Sequence, residues 1–325
     1  MKNTQLILVG GFLGAGKTTI LKQTAARLKK QGKAVGLITN DQATDLVDTT
    51  VLQGSGDAVE EVSGSCFCCN FNGFADAIDA VTEAIGDGGV VVADPARLQK
   101  ILDGTHATAS YIMSKQFDES DIILINKIDT LSEASQGDLL RQTAERWPKS
   151  KVMLASAKEG EGLAQWLEAV TKAQPVGANL AEVDYDIYAD GEAAYGWLNA
   201  TYTFGESDGD YKAAAANFLQ MLGNDLSQAG AAIGHVKFLL QTKGYQYLGN
   251  LTGEADTATL SREAAEADAV TLTVNARAEV GLDALQKIVL KAIDKAFDAF
   301  TPVDTSIRTL IPGRPNPTYH YDRVI

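Results

Sequence analysis

In its first half the chain alternates short, wholly apolar runs with longer segments whose apolar residues recur every three or four positions. Gln5-Leu6-Ile7-Leu8-Val9, Val90-Val91-Val92 and Ile122-Ile123-Leu124-Ile125 show no polar alternation, the pattern of strands buried on both faces. Between them, Ile20 to Lys30 sets Leu21, Ala25 and Leu28 on one helical face. The spacing predicts strands at 5–9, 34–39, 89–93, 121–125 and 151–155. It predicts helices at 17–30, 72–85, 95–102, 107–116, 133–146 and 160–172. Such alternation gives an α/β fold with a mainly parallel sheet covered on both faces. Residues 42–64 follow neither period and read as a long loop, and Gln174-Pro175-Val176-Gly177-Ala178-Asn179 reads as a linker.

The second half changes character. Tyr195 to Phe204 is rich in aromatic and β-branched residues and reads as a strand, followed by a helix from Tyr211 to Ala229. Ile233–Gln241 and Tyr245–Leu251 read as a hairpin about Lys243-Gly244, and Val270–Ala276 as a further strand. Leu282, Leu285, Ile288, Val289, Ala292, Ile293, Ala296 and Phe297 form a helical stripe that reads as core. Together these suggest a small ferredoxin-like α+β domain, and His235 within it reads as a packed or solvated strand histidine. From Thr301 the chain holds Pro302, Pro312, Pro315 and Pro317 and reads as an extended tail whose Arg308, Arg314 and Arg323 make a basic patch. The expected division is 1–175, 176–300 and 301–325.

Composition narrows the setting. With 325 residues, 45% hydrophobic and 22% charged, the chain is long enough for two globular domains. A formal net charge of −14 argues against nucleic acid or an anionic membrane as partner, since both need a basic face. No apolar run reaches the length of a membrane span, and the N-terminus leads directly into a strand. Three cysteines packed together do not make a disulfide framework. The expectation is a cytoplasmic protein.

Chemistry enters at the end of the first strand. Gly11, Gly16, Lys17 and Thr18 fill the pattern G-x-x-x-x-G-K-[ST], set between a strand and a helix. Glycines let backbone N–H groups, here including those of Gly14, Ala15 and Thr19, turn toward phosphates at a helix start. Lys17 would neutralise the β and γ phosphates, as a catalytic cation that is otherwise solvated, and the Thr18 hydroxyl would hold Mg²⁺. The fourth strand of the series ends in Asn126-Lys127-Ile128-Asp129, an N-K-x-D pattern. A carboxylate at Asp129 can accept from guanine N1–H and the 2-amino group, which adenine does not offer. Lys127 would lie along the base and Asn126 would tie the strand end to the phosphate loop. The next strand ends in Ser156-Ala157-Lys158, where the Ala157 N–H would reach guanine O6. Three motifs in this order favour GTP over ATP.

All the cysteines lie in Cys66-Phe67-Cys68-Cys69. Thiolates suit Zn²⁺ and other thiophilic ions, and three of them leave a tetrahedral site open, which fits transient holding. Glu60, Glu61, Asp41 and His106 are candidate further ligands. Buried inert thiols and a redox pair are the alternatives.

These residues resemble the CobW/HypB/UreG family of metal-chaperone GTPases, the CobW-like branch in particular. That branch opens with the same G-G-F-L-G-A-G-K-T-T run, here Gly10 to Thr19, and carries a C-x-C-C motif and then N-K-x-D. The resemblance is specific over roughly residues 1–175. It implies a GTPase that binds a transition metal (Zn²⁺, or Co²⁺ or Ni²⁺) and delivers it to a client enzyme or cofactor pathway, with a nucleotide-dependent homodimer as a further expectation. It also implies an acidic metal ligand after the second strand, which is Asp41 here. One departure matters. The family carries an E-x-x-G element on a strand between the cysteines and N-K-x-D. Here that interval is short, and its only strand, Gly89 to Asp94, is followed by Pro95-Ala96-Arg97, with Arg97 where the glycine would stand. Either Asp94 replaces the glutamate as a catalytic residue, or the switch element is missing and Asp94 belongs to the later strand. Both put hydrolysis on the slow side. The second functional reading is a GTP-binding regulator or scaffold that holds metal passively.

Overall fold

The computed structural model describes residues 6–41, 47–53, 55–56, 58–63, 70–81, 89–104, 107–172, 179, 181–253 and 258–316. The expected cysteine ligands Cys66, Cys68 and Cys69, and His106, lie outside them. The chain forms two compact units, one drawn from residues 1–42, 48–191 and 314–325, the other from 43–47 and 192–313.

The chain opens with β1 (Leu8–Gly10), α1 (Lys17–Lys30), β2 (Gly36–Asp41), α2 (Val47–Leu52), β3 (Ala58–Ser63) and α3 (Phe71–Val81). There follow β4 (Gly89–Ala93), α4 (Pro95–Leu102), α5 (Ala107–Asp118), β5 (Ile122–Ile125), α6 (Glu133–Arg146), β6 (Lys151–Leu154), α7 (Leu163–Thr171) and α8 (Tyr185–Ala193). Strands β1, β4, β5 and β6 make one parallel sheet in the order β1-β4-β5-β6. Its register pairs Val9 with Val90, Val91 with Ile123 and Leu124 with Met153. The apolar run of β5 is explained by burial on both faces, whereas Leu8 of the edge strand β1 stays 45% exposed. Leu124 and Ile122 pack with Ile20, Trp166 and Val170 from α1 and α7. Ile123 and Ile125 pack with Leu98, Phe117, Leu139 and Trp147 on the other face. The four strand ends of this sheet that carry expected ligands therefore open toward the carboxyl side of parallel strands, where α/β folds bind ligands.

The stretch 42–64 differs from the loop expected of it. It contains α2 and β3, and β3 pairs in parallel with β2 in a separate two-stranded sheet, Thr39 opposite Glu61. Leu37 and Leu52 close on Ala25 of α1, so an apolar contact anchors this segment to the first helix.

The second unit is a six-stranded antiparallel sheet built from β7 (Gly196–Phe204), β8 (Ala232–Thr242), β9 (Gly244–Gly253), β10 (Thr259–Ala265), β11 (Val270–Glu279) and β12 (Pro302–Leu310). Helices α9 (Tyr211–Gln228) and α10 (Leu282–Ala296) follow β7 and β11. The strand order is β10-β9-β8-β11-β7-β12. Taken without β9 and β10, the run β7-α9-β8-β11-α10-β12 has ferredoxin-like connectivity, and the β9–β10 hairpin extends one edge. Asp210 caps α9 by accepting from the Lys212 and Ala213 N–H groups at 2.9 and 3.0 Å. One face of the sheet, with Leu198, Phe238, Leu272 and Val274, packs on Phe218, Leu222, Val289 and Phe297 from the two helices. His235 is buried, its Nε2 3.3 Å from Asn250 Oδ1.

The expected tail is corrected here. Pro302–Leu310 is the strand β12, paired along β7 with Ile307 opposite Ala200. Proline at the first position of an edge strand removes no ladder donor that the sheet needs. The sheet unit thus continues past residue 300. Truncation tests this. A chain ending at Phe300 should melt about 5 °C or more below one ending at Ile311, the shift that a loss of a few kcal/mol produces in a domain of this size. Equal melting temperatures would show that β12 contributes nothing to the fold.

Candidate functional site

The loop from β1 to α1 needs glycine at two points. Gly11 has φ +126, and a Cβ there would lie 2.2 Å from the Val92 carbonyl oxygen of β4. Gly16 has φ +96, and a Cβ there would lie 2.3 Å from Asn126 Nδ2. Glycine is required by conformation and by close approach at once. Gly14 is also left-handed, at φ 78, while Ala15 is buried and Thr19 exposed at the start of α1. Lys17 was expected to be a solvated charge. Instead its Nζ donates to the Gly11 and Phe12 carbonyls at 2.7 and 3.0 Å, so the ammonium braces the loop it serves.

Asn126, at the end of β5, is 2% exposed and joins three segments. Its Nδ2 donates to the Ala15 carbonyl at 2.9 Å. Its Oδ1 accepts the Ala157 N–H at 2.9 Å. Its backbone N–H donates to the Ala93 carbonyl at 2.9 Å. The Ala157 N–H expected to reach a purine oxygen is therefore already used within the protein. Beside it, Ser156 Oγ donates to Asp129 Oδ1 at 2.5 Å and accepts the Glu159 N–H at 3.1 Å. The serine of the last motif thus holds the carboxylate of the second. Lys158 points outward, its side chain 78% exposed and 3.2 Å from Glu159. Lys127 sits at φ 60, ψ 31, the one left-handed residue other than glycine among the described residues. That conformation costs on the order of 1–2 kcal/mol and marks a position held by its surroundings.

Asp94 supplies part of that hold. One of its oxygens accepts the Arg97 N–H at 3.2 Å, capping α4, and the other lies 2.7 Å from Lys127 Nζ. The carboxylate is turned to the N-K-x-D loop. In the sheet β4 lies between β1 and β5. The Asp94 carboxylate is thus engaged by the α4 cap and by Lys127 of the neighbouring strand end. Arg97, from the same helical turn, reaches the phosphate loop: its Nη1 donates to the Leu13 carbonyl at 2.5 Å and its guanidinium lies 4.8 Å from the Phe12 ring centroid.

The carboxylate that does face the loop comes from α2. Thr18 Oγ1 donates to Asp48 Oδ1. A hydroxyl and a carboxylate side by side are the hard oxygen donors that Mg²⁺ takes, so the pair fits that cation. Asp48 was missed in the sequence because residues 42–64 read as loop, with no period to place its side chains. Nearby, Thr39 Oγ1 lies 2.9 Å from Thr49 Oγ1, and Thr49 in turn donates to Glu61 Oε2. Glu61 is thus engaged with α2, and Glu60 is exposed. Asp41 ends β2, in register with Ser63, directly before the segment that carries the cysteines. Among the described residues no three His, Cys, Asp or Glu side chains form a metal cluster. No described helix is long and apolar enough to cross a membrane.

Replacing Asn126 by alanine should be costly. It leaves a buried carbonyl and a buried N–H without partners, at about 1–3 kcal/mol each. Urea unfolding should show a loss of about 2–5 kcal/mol. A change below about 1 kcal/mol would mean that the three segments are held together by other contacts.

Residues 5–87 match the family model described as CobW/HypB/UreG, nucleotide-binding domain. No curated protein matches the chain. Among solved structures, the hydrogenase maturation factor HypB from Archaeoglobus fulgidus is 17% identical, with 52% of this chain and 89% of that one covered at a TM-score of 0.41. HypB from Helicobacter pylori in complex with nickel is 15% identical, with 52% and 86% covered at 0.40. The Zn(II)-bound YjiA GTPase from E. coli is 15% identical, with 91% and 99% covered at 0.31. With its phosphate loop at the end of β1, the segment 5–87 is similar to the nucleotide-binding domain of the CobW/HypB/UreG family.

Proposed function

We propose that this protein is a GTP-binding metallochaperone. It takes GTP with Mg²⁺ at the carboxyl ends of β1, β5 and β6, binds a thiophilic metal at Cys66, Cys68 and Cys69 with Asp41 as an oxygen ligand, and passes that metal to a client protein in the cytoplasm. The observation that supports the nucleotide part most is the pair of Asn126 hydrogen bonds, which draw the phosphate loop and the Ser156–Lys158 turn onto one strand end. Gly11, Gly14, Ala15, Gly16, Lys17, Thr18 and Thr19 would cradle the phosphates. Asp129, steadied by Ser156, would read the guanine edge. Mg²⁺ would be held by Thr18 and Asp48, and it would neutralise charge on the β and γ phosphates.

A regulator that holds nucleotide and hydrolyses it slowly is the second reading, and one observation favours slow turnover. Asp94 is committed to Lys127 and to the α4 cap. Phosphoryl transfer depends almost wholly on positioning, so an Asp94 turned to Lys127 instead of to an attacking water favours slow turnover. Turnover measured with and without bound metal separates the two readings.

Guanine selectivity is the first test. A site built around two donors leaves Asp129 unpaired when adenine enters, so MgATP should bind about 10⁴-fold more weakly than MgGTP. Calorimetric titration with both nucleotides reads this, and Asp129→Asn should shift preference toward xanthine nucleotides. Equal affinities for ATP and GTP would remove the assignment.

The metal is tested by cobalt substitution. Apoprotein titrated anaerobically with Co²⁺ should take up one ion per binding unit with a thiolate-to-metal charge-transfer band. MgGTP should change the affinity by roughly the 5–150-fold of typical allosteric coupling. An unchanged cobalt spectrum after replacing all three cysteines with serine would leave the protein a GTP-binding regulator.

A further inference from the structure

We infer that Arg97 is the residue that senses the third phosphate. The inference rests on the GTP reading above and deepens it. The phosphate loop offers three successive carbonyls to two cations: Gly11 and Phe12 to the Lys17 ammonium, and Leu13 to the Arg97 guanidinium. The loop motif places its lysine on the β and γ phosphates. Arg97 is anchored one residue further along the same loop, from the first turn of α4. Its guanidinium also lies over the Phe12 ring, 4.8 Å from the centroid, a cation–π contact. A guanidinium presents several N–H donors in one plane. It can therefore leave one backbone carbonyl for a phosphate oxygen, a stronger charge-assisted partner. The carboxylate that directly follows β4, that of Asp94, is engaged with Lys127 at 2.7 Å.

The position of Arg97 also gives it a consequence beyond affinity. Asp94 and Arg97 bracket one helical turn, and the Asp94 carboxylate holds both the Arg97 N–H and the Lys127 ammonium. When the guanidinium moves from Leu13 to a phosphate, it pulls on the turn that also holds Lys127 of the base-binding loop. Occupancy of the third phosphate site is thereby reported along α4.

The test is equilibrium binding of GTPγS and GDP, each with Mg²⁺, to the full chain and to Arg97→Met and Arg97→Lys. Methionine keeps an unbranched apolar side chain and removes the charge; lysine keeps the charge and loses the planar fork. Arg97→Met should raise the ratio of the GTPγS Kd to the GDP Kd by roughly 10–100-fold, the size of one charge-assisted hydrogen bond. Arg97→Lys should recover part of that. Both variants should melt within about 5 °C of the parent, since the guanidinium is only partly buried. Equal weakening of both nucleotides would make Arg97 a latch on the loop and overturn the inference alone, as would no weakening of either. A parent chain that binds neither guanine nucleotide would overturn the GTP reading and this inference together.

Discussion

The amide of Asn126 is the interaction on which the first unit's site depends. A primary amide offers donor and acceptor on one rigid plane. Here the donor takes the carbonyl of Ala15 and the acceptor takes the N–H of Ala157, both buried. Aspartate could accept but not donate, and leucine could do neither. Residues more than a hundred positions apart in sequence are thus held by one side chain, and Gly16 must stay glycine because that amide lies against it. Local needs and global needs coincide at this point, as a uniquely folded chain requires.

Strand order explains the rest of the arrangement. Because β4 lies between β1 and β5, the helix that follows it starts between the phosphate loop and the N-K-x-D loop. Its capping residue and the residue three positions later then reach one loop each, Asp94 to Lys127 and Arg97 to Leu13. The acidic partner of Thr18 comes instead from α2, through Asp48.

What could be read in the sequence follows from how strongly burial constrains each element. β4, α1 and α6 were legible to within a residue, because their apolar period or capping serine is unambiguous. The phosphate loop and N-K-x-D were legible because their spacing is set by phosphate and base geometry. α2 was not: Val47-Asp48-Thr49-Thr50-Val51-Leu52 is six residues long, β-branched and too short to show a helical period. β3 was missed because Glu60-Glu61 breaks strict alternation in Ala58–Ser63. β10 and β12 are exposed edge strands whose sequences carry few apolar signals, and Pro302 read as a breaker. The hydrogen bonds of Asp94 and Arg97 depend on strand order, which no local pattern contains.

The central claim is that three separate loops make one guanine-nucleotide site. Amide hydrogen exchange on the full chain, with and without Mg²⁺ and GTPγS, tests it most directly, because exchange resolves each segment independently. The account predicts that saturating nucleotide slows exchange together in residues 11–19, 126–130 and 156–159, with the strands β8 and β9 of the second unit unchanged. Protection confined to the phosphate loop, with the two later segments exchanging as before, would contradict it.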